Sequence, residues 1–417
     1  MQRTGLKNCR TSWEFLLLLF AIPTLGWTAD WPQWHGLNRD NISTETGLLA
    51  AWPAGGPPLL WEAANLGGGF AGVAVVAEKV FTSGDFTNGA SVLALDAKTG
   101  KQLWQSPLGK IGGGNGYPGP RATPAVDGKF VYALGQYGDL VCLQISDGKV
   151  VWRKNLATDF GGKMMSGWGY SESPLVLGDQ LLCTPGGASG TVIALDKKTG
   201  AVLWRSSELT DAAAYSSLIT AKIGGVLQVI VLTGAHVAGL APATGKLLWS
   251  APREGRTAVA PTPVCKDDYV FVTSGYGAGC NLFKITHSGA EFKADEIYAT
   301  KEIVNHHGGV VLAGSNIYGF SDGKGWVCVD FQTGKSLWES KQLGKGTLLA
   351  ADGHCYLRSE SGGALALIEA TPTGWQETGR FVQPHLSGKN TWAHLSISGG
   401  KLFVRDQDVL LCYNVKK

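Results

Sequence analysis

The chain has 417 residues and a formal net charge of +3 at neutral pH, with 44% hydrophobic and 17% charged residues. This composition is that of a globular protein, and its even balance of charge does not favour nucleic acid as a partner. The length exceeds the usual size of one domain, but repeat architectures are an exception, so internal periodicity has to be considered first. The 59 glycines and 15 tryptophans indicate many short strands, tight turns and a recurring aromatic packing residue.

The N-terminus has the features of a secretory signal sequence. A basic region that ends at Arg10 precedes a short apolar core at 15–22, and the stretch that follows ends in small or polar residues at Ala29. The apolar core is too short to span a bilayer, and no later segment approaches transmembrane length. We therefore expect residues 1–29 to be a cleaved signal peptide and the protein to be periplasmic or secreted.

Residues 30–57 are expected to form a separate N-terminal segment, and repeats cover residues 58–415. Five segments in this region align without gaps, and each has an alternating strand, a polar turn that ends in glycine, and a short strand that ends in tryptophan. Alternation at period two is typical of strands that bury one face, and glycine supplies the positive φ that a tight hairpin needs. The segments are Ala94 to Trp104, Cys142 to Trp152, Ala194 to Trp204, Gly239 to Trp249 and Cys328 to Trp338.

Weaker copies of the motif fill the gaps between these segments. The aromatic residues that close the strand pairs recur every 40 to 52 residues, which is the length of one four-stranded propeller blade. A second hairpin precedes each motif, as at 122–135 and 173–186, and this gives four strands per unit. The closing residues are Trp61, Trp104, Trp152, Trp204, Trp249, Tyr298, Trp338 and Phe381.

The two ends of the repeat region complement each other. The closing strand around Trp61 precedes any complete unit, and the last three strands, from about Ala393 to Tyr413, have no closing strand after them. Pairing the N-terminal strand with the C-terminal three removes the exposed sheet edge of an open array. The sequence therefore predicts an all-β protein, an eight-bladed β-propeller of four-stranded antiparallel blades, which we expect to be a monomer.

Seven cysteines follow the predicted signal peptide, and an odd number argues against a complete disulfide framework. Cys142, Cys328 and Cys412 occupy the same repeat position within apolar strands, as is typical of small buried hydrophobic residues. The sequence contains no Cys-x-x-Cys motif, so it predicts no c-type haem, and no metal site is assigned.

The pattern Ala-x-Asp-x-x-Thr-Gly-x-x-x-Trp resembles the tryptophan-docking motif of propellers of the pyrroloquinoline-quinone (PQQ) type. The resemblance covers essentially all of residues 58–415, and this family includes quinoprotein alcohol dehydrogenases and BamB, a propeller lipoprotein of outer-membrane protein assembly. In the family the motif Trp packs between blades while the Asp and Gly region satisfies turn hydrogen bonds, which implies structural roles. The matching docking residues are Asp96, Gly100, Trp104, Trp152, Asp196, Gly200, Trp204, Trp249 and Trp338.

Propeller ligands bind around the central channel, where the loops that lead into the innermost strands converge. Aromatic faces beside guanidinium groups can hold a flat polyanion such as PQQ by stacking and bidentate pairing. They can equally hold an extended peptide or a sugar chain, or only cap the blades and fill the channel. The repeat alignment places the following residues at or near these loops: Phe70, Arg121, Tyr170, Tyr215, Arg256, His307, Lys345 and Trp392.

Two local groups add to this set of candidates. His306 and His307 are neighbours near a strand start, so their side chains are expected to point to opposite faces and to be poor joint ligands for one metal. One of them could bind ligand or shuttle protons, or both could be structural. Trp168, Tyr170 and Glu172 share one loop-to-strand segment, in which Glu172 is a calcium ligand, a base, or an acceptor for loop amides.

The resemblance also implies what a quinoprotein dehydrogenase would need: calcium held by a Glu and an Asn, an Asp base, and often a disulfide between adjacent cysteines. The sequence has no Cys-Cys pair, and no stretch matches the calcium and base motifs. We therefore predict a binding or scaffold propeller without a catalytic motif, whose partner at the channel face is a protein or a polysaccharide. The alternative is a PQQ-dependent dehydrogenase of an alcohol or sugar, with PQQ and Ca²⁺ as cofactors.

Overall fold

In a computed structural model that describes residues 1–2, 30–113 and 116–417, every element is a β-strand, and 33 strands form eight sheets. The all-β fold and the number of blades are therefore as predicted. Residues 3–29, which hold most of the predicted signal peptide, lie outside the described residues. In the described part, no helix has the length and apolar character that crossing a bilayer would require.

The first half of the chain forms two short N-terminal strands and then four consecutive blades, each a meander of four antiparallel strands. The N-terminal strands are β1 (Ile42–Ser43) and β2 (Leu59–Ala63). Blade 1 contains β3 (Ala74–Val76), β4 (Lys79–Phe86), β5 (Gly89–Asp96) and β6 (Gln102–Gly109). Blade 2 contains β7 (Ala125–Asp127), β8 (Phe130–Leu134), β9 (Asp139–Gln144) and β10 (Val150–Asn155). Blade 3 contains β11 (Leu175–Leu177), β12 (Gln180–Cys183), β13 (Ile193–Asp196) and β14 (Val202–Arg205). Blade 4 contains β15 (Ile219–Ile223), β16 (Val226–Leu232), β17 (His236–Leu240) and β18 (Leu247–Pro252).

The second half continues with three more blades and the three strands of the last one. Blade 5 contains β19 (Val264–Lys266), β20 (Tyr269–Ser274), β21 (Gly279–Ser288) and β22 (Glu291–Thr300). Blade 6 contains β23 (Val310–Ala313), β24 (Asn316–Ser321), β25 (Gly325–Asp330) and β26 (Ser336–Ser340). Blade 7 contains β27 (Gly346–Ala351), β28 (His354–Ser359), β29 (Ala364–Glu369) and β30 (Glu377–Val382). Blade 8 contains β31 (Ser396–Ser398), β32 (Lys401–Asp406) and β33 (Val409–Asn414).

The eighth blade is closed by the two ends of the repeat region, as predicted. Strand β2 pairs antiparallel with β33, with Leu59 opposite Tyr413 and Ala63 opposite Leu410. The sheet order is therefore β2-β33-β32-β31. This pairing covers the edge of β33 that an open array would leave unpaired.

The middle strands of each blade are apolar on both faces because neighbouring blades pack against both sides of each sheet. In β5, the consecutive residues Val92, Leu93, Ala94 and Leu95 are all fully buried. The first strands of neighbouring blades contact each other, for example β3 with β7 and β23 with β27. They form the inner wall of the ring, and the strands that carry the closing aromatic residues form its rim.

The docking tryptophans, with the exception of Trp249, each join their blade to the next one through the indole N–H. The Trp104 indole N–H donates to the Ile145 carbonyl at 3.1 Å, and its ring lies against Gly148, where a Cβ atom would be 2.6 Å from the ring. The same indole bond links Trp61 to Ala97 (3.1 Å), Trp152 to Lys197 (3.1 Å), Trp204 to Pro242 (2.9 Å) and Trp338 to Thr371 (2.9 Å). The Tyr298 hydroxyl donates to the Phe331 carbonyl at 2.9 Å in the same way.

The motif carboxylate holds the turn on which the tryptophan rests. Asp96 Oδ1 accepts from the Thr99 hydroxyl (2.8 Å) and from the Thr99 amide (2.8 Å), and these bonds lower the pKa of the Asp96 carboxyl. Asp196 and Thr199 repeat this geometry. Trp249 departs from the pattern: its indole N–H donates to Gln228 Oε1 of its own blade at 2.7 Å, because blade 5 lacks the Thr-Gly turn that would receive it.

Residues 30–57 cross the inner wall of the ring, which the sequence did not predict. Strand β1 pairs parallel with β27 as a fifth strand of blade 7, and Trp31 forms an antiparallel bridge with Val75 of blade 1. The Arg39 guanidinium donates to the carbonyls of Ser173 (2.8 Å) and Pro174 (3.0 Å) beside blade 3. The segment therefore ties several blades together from inside the ring.

Replacing Gly148 tests the docking geometry. Gly148 has φ of +73° and faces the Trp104 ring, whereas Gly128 has φ of +55° in a turn where a Cβ atom would meet nothing within 4 Å. We expect Gly128→Ala to lower the free energy of unfolding by about 1–2 kcal/mol through backbone strain alone. Gly148→Ala should cost about 1–3 kcal/mol more, since the methyl group overpacks the ring. Equal losses in urea unfolding would contradict the docking role.

Candidate functional site

The loops that lead into the innermost strands converge on one cavity of about 360 Å³. In seven of the described blades, the lining residue lies four positions before the first residue of the innermost strand. In blade 7 the residue directly before β27, Lys345, takes this place. The seven residues are Phe70, Arg121, Ser171, Tyr215, Ala260, His306 and Trp392. The cavity is therefore a product of the repeat, with every blade contributing a side chain at one end of the channel.

A continuous row of rings forms one wall of the cavity. Trp392 stacks on Phe70 with ring centroids 4.7 Å apart, and Tyr117 lies 4.9 Å from Trp392 on the same side of the cavity. The row continues from Trp392 to His307 (5.3 Å), from His307 to His306 (5.0 Å) and from His306 to Tyr276 (4.8 Å). Such a wall offers wide apolar faces to a ring-shaped or planar ligand.

A hydrogen-bonded chain runs along the Tyr276 end of this wall. The Lys345 ammonium donates to Asp322 Oδ1 at 2.8 Å and to His306 Nδ1 at 2.9 Å, and His306 Nε2 lies 2.9 Å from the Tyr276 hydroxyl. Burial, followed by the nearby His307 and Lys345, lowers the pKa of His306 to about 4. His306 is therefore neutral near pH 7 and lies between Lys345 and Tyr276 in this chain.

A second pair of polar groups supports the middle of the wall. Glu360 Oε2 accepts from His307 Nε2 and from the Trp392 indole, both at 2.8 Å. Burial of Glu360 raises the pKa of its carboxyl, but the bonds from His307 and Trp392 outweigh this and hold the pKa below its usual value. Glu360 therefore stays ionised and fixes the Trp392 ring.

Arg121 supplies a second cation at the Phe70 end. Its guanidinium carbon lies 5.6 Å from the Phe70 ring centroid, and two of its nitrogens donate to the carbonyls of Trp168 (3.0 Å) and Tyr117 (2.8 Å). Burial lowers the pKa of Arg121 to about 10, so the side chain remains charged at neutral pH.

The N-terminal segment supplies part of the cavity surface. Trp34 lines the cavity and stacks on His35 with centroids 4.0 Å apart. His35 Nε2 lies 3.0 Å from His394 Nδ1, and His394 Nε2 donates to the His307 carbonyl at 3.0 Å. Burial lowers the pKa of His394 to about 3, so this pair is uncharged. Its role is to hold the N-terminal segment against blade 8.

Eight of the predicted site residues line the cavity, and three do not. Tyr170 is buried and donates to the Pro185 carbonyl at 3.1 Å. Glu172 is buried and accepts from the Thr184 amide. Ser171, which was not predicted, faces the cavity between them, because adjacent side chains of an extended segment alternate. The eight are Phe70, Arg121, Trp168, Tyr215, His306, His307, Lys345 and Trp392.

Arg256 is exposed and lies outside the cavity. It is eight positions before β19, and the aligned position four before that strand is Ala260. The prediction for this blade was therefore out of register, because blade 5 has no docking motif to fix the alignment.

The expectation that His306 and His307 point to opposite faces was wrong. Both line the cavity, with their rings 5.0 Å apart. Strand β23 begins only at Val310, and the two histidines lie in a bend before it, where the alternation of a strand does not apply.

The sequence analysis missed lining residues on two other kinds of segment. Tyr276 follows β20 and Glu360 follows β28, so loops between the second and third strands open on the same side as those before the first. A search of that loop in each repeat would have found them. Trp34 lies in the N-terminal segment, for which no repeat predicts a position.

The lining residues do not fit the calcium ion that accompanies PQQ in the family's dehydrogenases. In the described part of the chain, no three His, Cys, Asp or Glu side chains converge as a metal-binding group. Glu360 is the carboxylate among the described lining residues, and its Oε2 already accepts two hydrogen bonds. Calcium takes about six to eight oxygen ligands. The seven cysteines of the described part are all free thiols. No catalytic step through PQQ follows from this arrangement.

Comparison with curated proteins places these features in a known group. The chain is 24% identical over 220 residues to the outer membrane protein assembly factor BamB of Shewanella oneidensis, which covers 51% of this chain and 50% of that protein. It is 36% identical over 112 residues to BamB of Xanthomonas campestris pv. campestris, 25% of each chain. It is also 29% identical over 195 residues to the serine/threonine-protein kinase AfsK of Streptomyces griseus, 45% of this chain and 22% of the kinase. The chain thus spans half or less of the length of these relatives.

Solved structures share the fold at low sequence identity. BamB from Moraxella catarrhalis has a TM-score of 0.60 at 17% identity, over 82% of this chain and 94% of that one. Quinohemoprotein alcohol dehydrogenase from Comamonas testosteroni has a TM-score of 0.66 at 12% identity, over 93% of this chain and 81% of that one. A sequence model of the family described as "Outer membrane protein assembly factor BamB" matches residues 88–340, more than half of the chain. The chain therefore belongs to this BamB family of PQQ-like repeat propellers.

Proposed function

We propose that the protein is an exported binding module without enzymatic activity, and that it holds a segment of a protein or polysaccharide in the channel-face cavity. One observation carries the proposal: loops from all eight blades converge on an aromatic cavity of about 360 Å³, a size within the range of small-ligand sites. The cations and carboxylate at this cavity are held by hydrogen bonds to the protein, which suits recognition.

Exposed apolar surface in the cavity favours binding over a purely structural role. The Tyr117 side chain keeps 39% of its surface exposed beside the Trp392 ring, although a residue that only filled the channel would be buried. Aromatic residues that keep exposed surface at a cavity wall are typical of ligand contacts.

The relatives named as outer membrane protein assembly factors suggest where the protein acts. We propose a periplasmic or secreted monomer, exported by its N-terminal signal sequence. A polypeptide that is being assembled into the outer membrane is one partner of the proposed class, and a polysaccharide is the other.

Removing the central ring of the cavity wall tests this function. Trp392→Ala should weaken binding of the strongest ligand from a peptide array and a glycan array roughly 10- to 100-fold, as expected for a central aromatic contact. Trp375→Ala is the matched control, since Trp375 lies at the rim beside Trp338 and outside the cavity. Titration by intrinsic fluorescence measures both variants. Equal affinities in the two variants would contradict a cavity function.

An assay with PQQ distinguishes a binding module from a dehydrogenase. The protein is mixed with PQQ and Ca²⁺, and spectral changes and alcohol-dependent dye reduction are followed. We expect neither tight binding nor turnover, because the lining residues do not provide a calcium site. Tight PQQ binding with turnover would overturn the proposal.

A further inference from the structure

The hydrogen-bond directions in the cavity determine which ligand groups it can satisfy. The Lys345 ammonium has no lone pair, so His306 Nδ1 must accept its hydrogen bond. Neutral His306 then carries its proton on Nε2 and donates to the Tyr276 hydroxyl oxygen. The Tyr276 hydroxyl hydrogen is left to point elsewhere. Burial raises the pKa of Tyr276, so this hydrogen is retained and is a donor for a ligand.

Tyr215, on another part of the cavity wall, differs from Tyr276 in the use of its hydroxyl hydrogen. Ser166 Oγ donates to the Thr257 carbonyl at 2.9 Å, so it accepts from the Tyr215 hydroxyl at 2.5 Å. The Tyr215 hydroxyl hydrogen is therefore already used within the protein. Tyr276, not Tyr215, is the hydroxyl that the cavity offers as a donor.

Three charged side chains of the lining also keep unused hydrogen-bonding capacity. Lys345 makes two of its three possible bonds, to Asp322 and His306, and Arg121 uses two of its five N–H groups on carbonyls. Glu360 Oε2 accepts two bonds, while its Oε1 accepts none from the described residues. Two donors, Lys345 and Tyr276, flank His306 at one end of the aromatic wall. The ionised Glu360 is an acceptor at its middle.

We propose that the cavity recognises an acidic sugar, a uronic-acid unit of a polysaccharide, and this rests on the proposed binding function. The carboxylate of the sugar accepts from Lys345 and Tyr276, because charge-assisted bonds are the strong ones. One apolar face of the sugar ring lies on Trp392, and a ring hydroxyl donates to Glu360 Oε1. A neutral sugar would offer Lys345 and Tyr276 only uncharged acceptors, whose hydrogen bonds are weaker. A peptide would need an aromatic or proline side chain to cover the Trp392 ring.

Two matched probes test this proposal: a short oligogalacturonate, and the same oligomer with its carboxylates methyl-esterified. We expect calorimetry to show binding of the acidic oligomer and a roughly tenfold or greater loss on esterification, since a hydrogen bond to a charged group is lost. Lys345→Met should reduce affinity for the acidic oligomer roughly 10- to 100-fold, and affinity for the esterified oligomer by much less, because its ester carbonyl accepts a weaker hydrogen bond. Tyr276→Phe should reduce affinity roughly fivefold to tenfold while it preserves the ring.

Lys341→Met and Tyr137→Phe are the controls, because both residues are exposed and lie outside the cavity. Equal binding of both oligomers, or no effect of Lys345→Met, would overturn the acidic-sugar proposal. If neither oligomer binds, the acidic-sugar proposal is overturned too. If peptides bind instead and Trp392→Ala abolishes that binding, the sugar proposal is wrong and the binding function stands. If the protein binds a sugar or a peptide and Trp392→Ala leaves that affinity unchanged, the cavity function itself is wrong.

Discussion

Trp61→Ala should lower the free energy of unfolding by about 3–5 kcal/mol, the usual cost of removing a buried aromatic side chain. Trp61 is 8% exposed, its ring lies against Gly100, and its indole donates to the Ala97 carbonyl at 3.1 Å. It joins blade 8 to blade 1 and lies on β2, the strand that closes the ring. We therefore expect its loss to loosen the closure as well as the packing.

Trp152→Ala is a matched control for the closure effect. Trp152 has the same exposure of 8%, lies against Gly200 and donates to the Lys197 carbonyl at 3.1 Å, but it joins two blades within the array. Both variants should lose similar stability in urea unfolding. Hydrogen exchange should accelerate at β33 amides only in Trp61→Ala, and equal protection of β33 in the two variants would contradict a closing role for β2.

Arg39→Met should destabilise the protein by roughly 3–5 kcal/mol, the scale seen when one partner of a buried charged group is removed. The Arg39 side chain is buried and donates to the carbonyls of Ser173 and Pro174 and to Gln33 Oε1 at 3.0 Å. Methionine leaves these acceptors unpaired inside the ring. Arg256→Met, at an exposed site, should change stability by less than about 0.5 kcal/mol. Urea unfolding measures both, and equal stabilities would contradict the role of Arg39.

Glu172 makes this region sensitive to pH. Burial raises the pKa of Glu172 to about 7, against the opposing effects of the Thr184 hydrogen bonds and the positive charge of Arg39; the Cys183 thiol also lies nearby. Because the folded pKa exceeds the unfolded value, the contribution of Glu172 to stability is full at acidic pH. This contribution, roughly 3 kcal/mol, is lost as the pH rises through about 7. Glu172→Gln should remove this pH dependence. At pH 8, adding Glu172→Gln to Arg39→Met should also recover part of the stability lost in Arg39→Met. The double variant has no buried carboxylate that needs the positive charge of Arg39.

Sequence predicts the ring well because the repeat carries its own docking geometry. The eight closing aromatic residues all lie in the outermost strands, and the Asp96 and Asp196 turns form as the motif implies. The predicted pairing of the first closing strand with the last three strands is confirmed by the register of Leu59 with Tyr413. These features depend on local periodicity and on burial, and both are visible in a single sequence.

The site is less predictable because it depends on register and on long-range contacts. Where a docking motif fixes the alignment, as for Phe70 and Arg121, the cavity residue is found. An error of one position selects Tyr170 in place of Ser171, and the missing motif of blade 5 misplaces Arg256. The path of residues 30–57 depends on bonds such as that from Arg39 to Ser173, more than 130 residues away, which no periodic pattern encodes.

The pairing of β2 with β33 has a consequence for how the chain reaches its native state. Leu59 and Tyr413 are separated by more than 350 residues, so the last sheet cannot assemble before nearly all of the polypeptide is available. Contacts of such long sequence separation slow folding. Until the two ends meet, β33 presents unpaired N–H and C=O groups that another chain can capture. A chain whose two ends have not yet paired is thus exposed to misassembly. A chaperone that shields β33 would raise the yield of native protein.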